Sequence, residues 1–111
     1  MSSSPMSGLR IEPLDEEQVI EKSTYDAFHR TELEKRLRSM GVRELVLAGV
    51  MTHLCVETTA RSAFVRDFDV TVVRDACGST TEELHENSLM AMSHGFAVLK
   101  STAEVIREVS P

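Results

Sequence analysis

A chain of 111 residues has the length of one small domain, since single domains run to about 100–200 residues, and a two-domain arrangement is set aside. Hydrophobic residues at 41% and charged residues at 27% allow a modest packed core and exclude both a disordered acidic tail and a membrane segment. Eighteen Asp and Glu against twelve Lys and Arg leave a formal charge of −6; with no basic stripe in the sequence, a nucleic-acid partner is not expected.

No apolar run approaches the roughly 20 residues that cross a bilayer, and the opening stretch Met1-Ser-Ser-Ser-Pro5-Met6-Ser-Gly8 lacks the apolar segment of a secretory signal. The expected location is the cytoplasm, with no membrane partner. Cys55 and Cys77 are too far apart for a Cys-x-x-Cys pair and read as two free thiols in a reducing compartment.

Residues 1–17 are rich in Ser, Pro and acidic residues without periodicity, so they read as a flexible entry segment. The ordered domain is expected over 18–111, starting with the short apolar run Val19-Ile20 as a strand. Thr31-x-x-Glu34 has the spacing of a capping box; Leu33, Leu37 and Met40 then form one stripe, and Gly41 offers a left-handed stop. The run Glu44–Ala48 leads through Gly49-Val50-Met51-Thr52-His53-Leu54-Cys55 into a helix from about His53 to Arg66, with Val56, Ala60, Ala63 and Phe64 on one face and Asp67 after it. Val70–Val73 is the next run, and Ser79-x-x-Glu82 or Thr80-x-x-Glu83 can open a third helix that ends before Gly95. Phe96–Leu99 follows, and Ser101-x-x-Glu104 opens the last helix. The runs are continuously apolar, as in strands covered on both faces. Their alternation with helices predicts a three-layer α/β/α fold with a parallel sheet and right-handed crossovers. Ligands of such sheets bind beyond the carboxyl ends of the strands.

One strand-to-helix turn carries a reactive residue type. Cys55 stands early in a helix that leaves a buried strand, where free N–H groups and the positive end of the helix dipole favour an anion. A thiol so placed is pushed from about 8.5 toward about 3.5–7.5 when a cation assists, and the same N–H groups can hold an oxyanion. The bland alternative is a small buried hydrophobe. Cys77, followed by Gly and Ser rather than an immediate helix start, reads as structural. His53, His85 and His94 with the two cysteines fit no compact zinc pattern, so no metal site is expected. His53 reads as a wall of a substrate pocket or as a solvated side chain, and Phe28 and Tyr25 as pocket walls or core. The acidic run Glu82, Glu83 and Glu86 reads as a solvated helix face.

The segment Gly49-Val50-Met51-Thr52-His53-Leu54-Cys55-Val56-Glu57-Thr58-Thr59-Ala60-Arg61 resembles the nucleophile segment of the isochorismatase-like cysteine hydrolases, among them nicotinamidases and N-carbamoylsarcosine amidases. The resemblance extends through Lys22-Ser-Thr-Tyr-Asp26-Ala-Phe28, Val72-Val73-Arg74-Asp75-Ala76 and His94-Gly95-Phe96-Ala97. It implies an isochorismatase-like, Rossmann-like fold and an Asp–Lys–Cys triad in which Cys55 is the nucleophile and Lys22 stabilises the thiolate and the transition state. It also implies a cis peptide between Val50 and Met51 that aims the main-chain N–H groups of Met51 and Cys55 at the oxyanion. The substrates implied are small amide or carbamoyl compounds, cleaved at C–N through a thioester.

The match starts near the family's third strand. The family's aspartate, on its first strand, has no counterpart here; Asp26 and Asp75 match other family positions. A divalent-metal site found in several members would lie in the same missing part, so no cofactor is required of this chain. Two strands would separate the lysine strand from the cysteine strand, leaving about 10 Å to be filled. A homo-oligomer or a complementing chain is therefore expected, and the isolated chain is expected to be nearly inactive. The competing expectation is a non-catalytic truncated homologue that associates through the open strand edge.

Overall fold

The structure is a computed structural model and describes residues 20–109. The expected entry segment and Val19 lie outside the described residues. In chain order the elements are α1 (Leu33–Ser39), β1 (Glu44–Val50), a π-helical turn (Thr52–Val56), α2 (Glu57–Val65), β2 (Asp69–Gly78), α3 (Glu82–Gly95), β3 (Ala97–Lys100) and α4 (Thr102–Val109). The strands form one parallel sheet in the order β1-β2-β3, so each strand-to-helix turn emerges at the same edge of the sheet.

The expected α/β architecture with a parallel sheet is borne out, with helices on both faces of the sheet. Leu45 pairs with Val70 and Leu47 with Val72, while Val70 pairs with Ala97 and Val72 with Leu99, which puts these six residues on one face. That face meets Phe28, Val56, Ala60, Ala63, Phe68, Leu89 and Met92 in a single core, built by α2, α3 and the segment before α1. The opposite face carries Val46, Thr71, Val73, Val98 and Lys100. There α4 covers β2 and β3, with Lys100 Nζ 2.5 Å from Glu108 Oε1. Val73 is buried there at 5% exposure, whereas Val46 and Val98 remain 52% and 54% exposed, so the expectation of strands covered on both faces holds fully on one face and only in part on the other. Among the described residues no strand pairs with the outer side of β1.

Several local expectations change. Ile20 belongs to no strand. At α1 the expected capping box does not form: the Thr31 hydroxyl donates to the Ala27 carbonyl at 2.6 Å and accepts from Leu33 N–H at 3.3 Å, and Glu32 at the N-cap makes no side-chain cap bond. Gly41 is left-handed as expected (φ 73°), but Met40 at the end of the stripe is exposed. The helix after β1 starts as a π turn before becoming α at Glu57, and Phe64, placed on its buried face, is 49% exposed and packs tilted against Phe96 with ring centroids 5.2 Å apart. α3 is capped by Thr81, whose hydroxyl accepts from Leu84 N–H, and not by Ser79 or Thr80. The Ser101–Glu104 box forms in full: Ser101 N–H donates to Glu104 Oε1 at 2.8 Å and Glu104 N–H to Ser101 Oγ at 3.1 Å.

Candidate active site

The exit from β1 differs from an ordinary strand-to-helix turn at each step. Gly49 has φ 129°, a conformation that L side chains rarely adopt. The Val50–Met51 peptide is cis. Met51, extended at the N-cap, makes no side-chain cap bond, and its carbonyl accepts from Leu54 N–H (3.1 Å) and Val56 N–H (3.2 Å), the two groups that flank the N–H of Cys55.

Cys55 is half-buried, and Lys22 reaches it from 33 residues away with Nζ 3.3 Å from Sγ. The same ammonium donates to the Thr24 carbonyl at 2.9 Å. The sequence reading separated the two residues by a gap of two strands; here Lys22 lies on an irregular segment that is not bound to a strand position and folds directly over the turn. Thr59 on α2 holds that segment: its buried hydroxyl accepts from Ala27 N–H at 3.0 Å and donates to the Tyr25 carbonyl at 3.1 Å. Asp26 closes a local turn, its Oδ1 accepting from Phe28 N–H at 2.8 Å. Asp75, the other aspartate matched to the family, accepts from Thr102 N–H and Oγ1 at the start of α4.

Phe28 is not a pocket wall. It is 5% exposed and stacks on Phe68 with ring centroids 5.8 Å apart, while the guanidinium of Arg66 lies over its outer side. Burying two large rings against one another under a cation outweighs leaving one of them in a cleft. His53 stays at the site, with its Nδ1 2.9 Å from Ser79 Oγ and its main-chain N–H donating to the same oxygen at 3.3 Å. Cys77 pairs in register with Gly49 and packs against the core; burial pushes its thiol up, against a smaller opposing effect of the Gly49 main chain, and the nearby Asp75 charge adds to the rise.

The sequence reading missed what braces the turn. Thr52 is fully buried, and its hydroxyl lies 2.7 Å from His85 Nδ1. Ser88 Oγ donates to the Thr52 carbonyl at 3.2 Å and to Glu57 Oε1 at 2.6 Å. The available signal was spacing: His85, Leu89 and Met92 are four and three apart, which sets His85 on the buried stripe of α3.

Among the described residues no group of three or more His, Cys, Asp or Glu side chains is placed to hold a metal ion. They do not fit a divalent metal, in keeping with a resemblance that places the family's metal site outside the matched part. Two surface hollows lie elsewhere: one of about 640 Å³ beside α3, lined by Arg74, His85 and His94 among others, and one of about 510 Å³ beside α4. Neither is lined by Cys55 or Lys22.

Fold and site together define a parallel α/β domain that presents a cysteine and a lysine in contact at the exit of its edge strand. The family comparison agrees: the isochorismatase domain matches residues 7–104, and the chain belongs to the isochorismatase family. It is 48% identical over 83 residues to nicotinamidase 3 of Arabidopsis thaliana, covering 75% of this chain and 42% of that protein. It is 32% identical over 97 residues to a ureidoacrylate amidohydrolase of Acinetobacter baylyi, covering 86% of this chain and 40% of that one. Its fold superimposes on an isochorismatase-like hydrolase from Alkaliphilus metalliredigens with a TM-score of 0.86 at 30% identity, over 90% of this chain and 55% of that chain. The chain thus spans about half the length of the curated relatives it matches.

Proposed function

We propose that this chain carries the nucleophile-bearing half of a cysteine hydrolase that cleaves the C–N bond of a small carboxamide or ureido compound. The observation that carries the reading is the 3.3 Å contact between Lys22 Nζ and Cys55 Sγ at an uncapped helix start. The two relatives named for amide hydrolysis support the substrate class, the plant nicotinamidase pointing to a carboxamide on a small ring.

In this reading the Cys55 thiolate attacks the substrate carbonyl, and the main-chain N–H groups of Met51 and Cys55 receive the oxyanion. The C–N bond breaks as the nitrogen takes up a proton from solvent water, ammonia or an amine leaves, and the acyl group stays on Cys55 as a thioester; the later hydrolysis returns that proton to solvent. Water then attacks the thioester, the acid departs and the thiolate is regenerated. Lys22 donates to the sulfur throughout, a charge-assisted contact stronger than a neutral one. The family aspartate that would exchange protons with the thiol and leaving group has no counterpart in the sequence, so the chain by itself is expected to turn over slowly.

The test is therefore labelling rather than turnover. Iodoacetamide near neutral pH should modify Cys55 much faster than Cys77, and nicotinamide should slow Cys55 alone. Equal, slow labelling of both thiols overturns the reading.

A second reading rests on β1, whose outer side is unpaired among the described residues and whose Val46 and Val50 are 52% and 65% exposed. In it the chain is a non-catalytic module that associates through this edge. Its mass in solution decides: a concentration-independent monomer counts against it.

A further inference from the structure

We infer that His85 on α3 is a positioning residue for Cys55, acting through Thr52; this rests on the cysteine-hydrolase reading above. Thr52, the first residue of the π turn, is 0% exposed, and its hydroxyl meets His85 Nδ1 at 2.7 Å. Its carbonyl accepts from Ser88 Oγ at 3.2 Å and from the main-chain N–H of Glu57, the bond that closes the turn. Ser88 also holds the Glu57 carboxylate at 2.6 Å. One face of α3 thus grips the first residue of the turn by side chain and by carbonyl, and the residue just after the turn by its carboxylate.

The grip matters because of what the turn would otherwise do. A π turn is a rare winding with one residue more per hydrogen-bonded loop than an α turn. Downstream, α2 is fixed by Ala60 and Ala63, both fully buried in the core. A relaxation to α winding must then be absorbed upstream, where one residue's change of register rotates a side chain by about 100° around the axis. Cys55 lies inside that interval and would leave Lys22. Thr52 cannot turn to water for a partner, so its hydroxyl depends on His85. On the other side of the ring, Glu86 Oε1 lies 4.0 Å from Nε2. In the tautomer with the ring proton on Nε2, Nδ1 accepts from the Thr52 hydroxyl.

The experiment uses the full chain, with iodoacetamide labelling of Cys55 and Cys77 followed by peptide mass mapping, alongside amide hydrogen exchange over residues 52–57. His85→Leu and Thr52→Val should each slow Cys55 labelling about tenfold or more while leaving Cys77 within about twofold. His85→Asn, whose amide oxygen can occupy the position of Nδ1, should restore the rate to within about threefold. Unchanged Cys55 labelling in both His85→Leu and Thr52→Val overturns the inference, and so does a loss that His85→Asn fails to rescue. Unfolding of His85→Leu would show as faster labelling of Cys77, in which case the isosteric Thr52→Val decides. If Cys55 of the unaltered chain labels no faster than Cys77, the hydrolase reading has failed by itself. The brace is then judged by exchange: faster exchange over 52–57 in His85→Leu upholds it, and unchanged exchange overturns it.

Discussion

The exits from β1 and β3 share a topology, each running from the carboxyl end of a parallel strand into a helix, yet their N–H groups meet different fates. At the β3 exit, side chains close the helix start: Glu104 accepts from Ser101 N–H, Ser101 Oγ from Glu104 N–H, and Asp75 from Thr102. At the β1 exit Met51 offers no side-chain cap, and support arrives from outside the turn through Ser79, His85 and Ser88. A start closed by carboxylates repels an incoming anion, whereas at the β1 exit the bonded N–H groups of His53, Leu54 and Val56 meet a hydroxyl and a carbonyl, so no negative charge is set against the dipole there. Capping chemistry, more than topology, separates the candidate reactive turn from the structural one.

The comparison can be broken outright through the core both exits share. Met92 is fully buried on α3, and Met92→Ala is expected to cost about 2–5 kcal/mol in urea unfolding, with both turns lost in one transition. Next in size, Lys22→Met should slow Cys55 labelling by about 10–100-fold, the worth of a charge-assisted hydrogen bond, without altering amide exchange in α4. Ser101→Ala should act in reverse, costing about 0.5–2 kcal/mol in thermal unfolding while leaving Cys55 labelling unchanged.

Acid gives the smallest effect. Asp75 is held below the usual carboxylate range chiefly by the Thr102 side chain, and Glu104 chiefly by the Ser101 N–H. A carboxylate lowered on folding contributes stability above its unfolded pKa and loses it as pH falls through the folded value, so α4 should loosen below about pH 4. Circular dichroism and amide exchange from pH 7 downward would show this, and Asp75→Asn with Glu104→Gln should flatten the dependence.

What the sequence made legible follows the range of each interaction. The Ser101–Glu104 box and the Gly41 stop are settled within a few residues, and both formed as read. At the start of α3 the sequence pattern pointed to Ser79 or Thr80, whereas Thr81 caps the helix; Ser79 is engaged by His53, 26 residues upstream, a contact that no local pattern shows. The approach of Lys22 to Cys55 was carried by the motif resemblance, since no local pattern links residues 33 apart. His85 and Thr52 are equally distant in sequence, and without a motif to join them His85 was weighed only as a metal ligand. Phe28 stayed undecided because an aromatic ring suits a core and a cleft alike until its neighbour Phe68 is known.

Thr59 gives the site a mechanical property. Its hydroxyl fastens the lysine segment to α2, the helix that the cysteine turn itself feeds into, rather than to the sheet or to α1. Cation and sulfur are therefore tied to the same helix, one through the Thr59 hydroxyl and the other through the chain, so a change that displaces the start of α2 acts on both.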